Sequence, residues 1–211
     1  MLLAIQLRIG WKIRIGWEFE TTNMTWDEKT RTGPVLHEFI CKRRQPGEQL
    51  YGVVDAARNR QLAKAAWASF ELERWSLFGK NVSTQMTDVS PYLVTFNHRY
   101  QYPYKASGYL DLWAEQLGNS CGILLLSDAH PRTLWEHLSQ LFRVSDEDGS
   151  RFFFRFYDPR VLRVFLPTCT EKQTLDFFGP IRCLFMESEK SNQILECNFD
   201  RTGIRIAATD L

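Results

Sequence analysis

Apolar and polar residues alternate without a break from position 5 to position 20. Ile5, Leu7, Ile9, Trp11, Ile13, Ile15, Trp17 and Phe19 hold the odd places; Gln6, Arg8, Gly10, Lys12, Arg14, Gly16, Glu18 and Glu20 hold the even ones. A period of two is that of a half-buried strand or hairpin. RIGW occurs twice, at 8–11 and 14–17, and one repetition of this size is no solenoid. Residues 1–31 read as an extension outside the domain, with Met24 as an alternative start. From Thr32 the period changes repeatedly. GPVLHEFICKRR suits a helix, QLYGVVDAA a buried strand, RNRQLAKAAWASF a helix of good helix formers and LERWSLF a strand. PYLVTF is a strand whose proline stands at its first position; GYLDLWAEQLG is a helix closed by Gly118; CGILLLS is a strand; HPRTLWEHLSQLF is a helix with Pro131 at its start. RVSDEDGSRFFFRFY predicts two strands around a tight turn, PRVLRVFLP and TEKQTLDFFGP short helices, and IRCLFME a last core strand.

Strands thus alternate with helices along most of the chain. That order predicts an α/β fold with a mixed, largely parallel sheet, helices on both faces and right-handed crossovers. Residues 32–187 contain no linker and read as one domain. Residues 188–211 read as a short C-terminal β-hairpin tail with Gly203 near its turn.

Composition narrows this picture little. Of 211 residues, 44% are hydrophobic and 24% charged, which is ordinary globular usage. The net charge of +1 supplies no field that would draw the chain onto nucleic acid or anionic lipid. Aromatics reach 14%, a surplus that serves a core or a contact surface. Cys41, Cys121, Cys169, Cys183 and Cys197 are odd in number and scattered, which suggests neither a disulfide framework nor a zinc ribbon but reduced thiols of a cytosolic protein. No window approaches the apolar length of a membrane span.

Candidate chemistry gathers in two places. Asp55, Asp128 and Asp158 each follow an apolar strand, where α/β sheets place their ligand sites. Together they could hold a divalent metal for a metal-dependent enzyme. Each also stands near the start of a predicted helix, where a carboxylate caps free backbone N–H groups, and Asp158 is followed by Pro159 in the cap-then-proline pattern. Capping is the preferred reading of all three. Phosphate-loop, nucleophile-elbow and histidine metal motifs are missing from the sequence, so neither a catalytic residue nor a cofactor is expected. The second place is FRFYDPRVLRVFLP, residues 154–167. In a strand, Arg151, Phe153, Arg155 and Tyr157 would share one face and Phe152, Phe154 and Phe156 the core face. On the helix that follows, Arg160 and Arg163 lie off the apolar stripe. Arg155, Tyr157, Arg160 and Arg163 are therefore the candidate partner-binding surface, since arginine beside aromatics suits protein interfaces.

YGVVDAARNRQL, VSPYLVTF, SCGILLLSDAHPRTLWEHLSQLFRV, FFFRFYDPRVLRVFLP and FFGPIRCLFME follow one another here as in the type VI secretion effector-chaperone, or adaptor, domain, which the chain resembles from Tyr51 to Glu187. Ser90 stands where that family has alanine, and a strand-like tail stands where many members carry a helical lobe. The resemblance implies a cytoplasmic, non-enzymatic protein that binds a secreted toxic effector and loads it onto the VgrG spike or a PAAR tip protein. The alternatives are the metal-dependent enzyme built on Asp55, Asp128 and Asp158, and an immunity-like inhibitor.

Overall fold

The apolar runs become strands and the amphipathic runs helices, in the order β1 (Leu3–Leu7), β2 (Trp11–Ile15), α1 (Thr32–Arg43), β3 (Gln49–Asp55), α2 (Arg60–Ala68), β4 (Leu72–Ser76), α3 (Thr84–Thr87), β5 (Pro91–Phe96), α4 (Ala106–Glu115), β6 (Gly122–Ser127), α5 (Pro131–Phe142), β7 (Arg143–Ser145), β8 (Arg151–Phe153), α6 (Pro159–Phe165), α7 (Glu171–Phe178), β9 (Cys183–Glu187), β10 (Gln193–Asp200) and β11 (Gly203–Asp210). The computed structural model describes residues 3–7, 11–15, 32–68, 72–79, 83–96, 106–145, 148–200 and 203–211. The aromatic stretch HRYQYPY, residues 98–104, lies outside them.

The main sheet has seven strands in the order β11-β10-β9-β6-β3-β5-β4. Every neighbouring pair is antiparallel. The largely parallel sheet expected from the sequence does not form, and the register shows why. β3 and β4 both run antiparallel to β5, so they point the same way, as a crossover through α2 requires. β5 and β6 both run antiparallel to β3 and are likewise linked through α4. Each crossover, however, leaves one place open, and a strand of opposite direction fills it.

The continuous apolar runs have a separate cause. β5, β6 and β9 are buried along their whole length because helices cover both faces of the sheet. On one face Tyr51, Val53, Ile123, Leu125 and Leu184 pack with Leu134 and Leu138 of α5, Phe165 of α6 and Phe177 of α7. On the other, Leu50, Val54, Val94, Leu124 and Phe185 pack with Leu36 and Ile40 of α1, Leu62 of α2 and Trp113 of α4. Trp113 needs two glycines beneath it. A Cβ on Gly52 would come within 2.8 Å of the indole, and one on Gly122 within 3.1 Å of the indole and 2.1 Å of the Val53 carbonyl oxygen.

A second, four-stranded sheet has the order β2-β1-β7-β8. β1 and β2 form a hairpin, and β1 meets β7 at Gln6↔Ser145 and Leu7↔Val144. The strand expected to run through Tyr157 stops at Phe153, so β8 belongs to this small sheet. The C-terminal hairpin is no appendage. β10 pairs with β9, and β11 pairs with β10 along all eight residues, which extends the main sheet. Among the described residues, no helix is long and apolar enough to cross a membrane.

Candidate functional site

After β8 the chain turns sharply inward. The Phe154 N–H still donates to the Phe142 carbonyl at 2.9 Å, but the next bonds are local, Phe156 N–H to Phe154 O at 2.9 Å and Asp158 N–H to Arg155 O at 3.0 Å. A turn breaks the period of two. Phe154, Phe156 and Tyr157 all enter the core, and Arg155 alone remains at the surface. Tyr157 is 5% exposed, so it is not the contact residue that the strand pattern predicted. Burial, with Asp55 close by, pushes its phenol well above the ordinary range.

Asp158 is the N-cap of α6. Its side chain accepts from the Arg160 N–H at 3.1 Å, and Pro159 fills the first helical position, where no N–H is needed. The same carboxylate takes the Arg160 guanidinium in a fork, Nε at 3.0 Å and Nη2 at 2.7 Å. Arg155 Nη2 lies 3.5 Å from its Oδ2. Burial alone would raise the Asp158 pKa. The hydrogen bonds and charge of Arg160, with Arg155 beyond, outweigh it and hold the carboxyl below its usual value.

Arg155 also reaches Asp55 at the end of β3, Nη2 to Oδ2 at 2.7 Å. Asp55 is 2% exposed and its Oδ1 accepts from the Arg58 N–H at 3.2 Å, inside the turn that precedes α2. The cap of α2 itself is Asn59, whose side chain accepts from the Leu62 N–H at 2.9 Å. At α5 the cap is His130, which accepts from the Arg132 N–H at 3.2 Å, two residues past the exposed Asp128. Asp158 thus caps its helix; the caps expected at Asp55 and Asp128 fall instead on the residues that stand where each helix begins.

Glu187 ends β9 at the same end of the sheet as Asp55 and gave no signal in the sequence beyond ending an apolar strand. It is buried; its oxygens accept from the Gly118 N–H at 2.7 Å and from the Ser120 N–H at 2.9 Å and hydroxyl at 2.8 Å. Those bonds hold Ser120 at its positive φ of 51°. The Glu187 carbonyl accepts from Arg163 Nη1 at 2.9 Å. At this end of the sheet, then, buried Asp55 and Asp158 hold the Arg155 and Arg160 guanidinium groups, with the Arg155 side chain 45% and the Arg160 side chain 34% exposed, while Arg58 and Arg163 turn to the backbone carbonyls of Asn119 and Glu187. The sequence-predicted trio does not gather. β3 and β6 are antiparallel and Gln49 pairs with Ser127, so Asp128 lies at the opposite end of the strands from Asp55. Among the described residues, no three of His, Cys, Asp and Glu come together as a metal would require. Burial pushes Cys169 and Cys197 up to about 12, and Cys121 and Cys183 higher still.

The described residues thus form an antiparallel seven-stranded sheet covered by helices on both faces, with buried Asp55 and Asp158 holding Arg155 and Arg160 where β3 ends and α6 begins. Residues 50–175, more than half of the chain, match the family model described as Domain of unknown function (DUF4123), and the chain belongs to that family. Comparison with curated proteins and with solved structures finds no match.

Proposed function

We propose that the protein is a non-enzymatic adaptor that binds a type VI secretion effector in the cytoplasm and delivers it to the VgrG spike or a PAAR tip protein. The observation that supports this reading is the family match across the FRFYDPRVL block, whose arginines are anchored at the surface by Asp55 and Asp158. Guanidinium groups fixed in this way lose little further freedom when a partner's acids approach, which favours recognition over chemistry. The metal-enzyme alternative needs Asp128 beside Asp55, and the antiparallel register separates them.

The test is secretion with and without the gene. Loss of the protein should stop export of one effector while the spike is still exported, and tagged protein should co-purify with both. Unchanged effector export would overturn the proposal.

A further inference from the structure

We draw no further inference here: the strongest candidate, the open groove of about 340 Å³ beside β4 lined by Arg74, Trp75, Tyr92 and Trp135, carries nothing, because Arg74, Tyr92 and Trp135 already donate to the carbonyls of Ala66, Thr87 and Ser76 and nothing in the structure shows what covers it.

Discussion

Replacing Asp158 by alanine removes the cap of α6 and the acceptor for the Arg160 fork together. A lost cap costs about 0.5–2 kcal/mol and a lost hydrogen bond to a charged group about 1.5–3 kcal/mol. Both arginines keep access to water, so the sum should stay near about 2–4 kcal/mol, read from urea unfolding. Acid sharpens the test. The folded Asp158 pKa lies below its unfolded value of about 3.9. Its contribution is therefore complete above that value and is lost as the pH falls through the folded pKa. Asp158→Ala should flatten the acid limb of the stability profile in that window and leave the profile parallel to the unaltered protein's near neutrality. The cap was legible because Asp-Pro is a local signal. The fork was not, because a helical stripe tells which face an arginine leaves but not which carboxylate it turns back to. Arg160→Glu would set a second carboxylate against buried Asp158, so charge reversal at this residue measures stability rather than docking.

Among the elements, α4 depends on two residues that belong to strands. Trp113 lies over Gly52 of β3 and Gly122 of β6, and an added methyl at Gly52 would press on the end of its ring at 2.8 Å. Gly52→Ala should therefore cost about 1–3 kcal/mol by overpacking, with a shifted tryptophan emission as the ring moves. Gly122→Ala should cost more, since its Cβ would meet the rigid Val53 carbonyl at 2.1 Å rather than a side chain. Most element types and positions were legible, because apolar period and turn residues are local properties. Strand direction was not. A strand-helix-strand run looks the same whether its two strands end side by side or admit a third between them, and here β5 enters between β3 and β4 while β3 enters between β5 and β6. Tyr157 was misplaced for a related reason. Alternation assigns faces only while the strand lasts, and β8 ends four residues earlier.

For the molecule as a whole, the pairing that joins β1 to the rest among the described residues is the short one with β7, Gln6↔Ser145 and Leu7↔Val144, and the strands of the main sheet pair without it. A chain beginning at Met24 should thus unfold in one cooperative transition with its thermal midpoint within about 4 °C of the full chain's, the shift that about 1 kcal/mol produces at this size. A drop well beyond that would make the hairpin part of the cooperative unit.

The interleaved strand order also sets a timetable for synthesis. β3 lies between β5 and β6, both made after it, while the β9-β10-β11 meander closes locally as soon as it appears. With β3 complete at Asp55 and β6 only at Ser127, a ribosome adding about 5–20 residues each second leaves β3 waiting roughly 4–14 s for its second neighbour. Throughout that interval a nearly all-apolar strand has at least one bare side, so the nascent chain is a natural client of the folding helpers near the ribosome exit, and slowing translation between β3 and β6 should lower the soluble yield more than the same delay placed after β9.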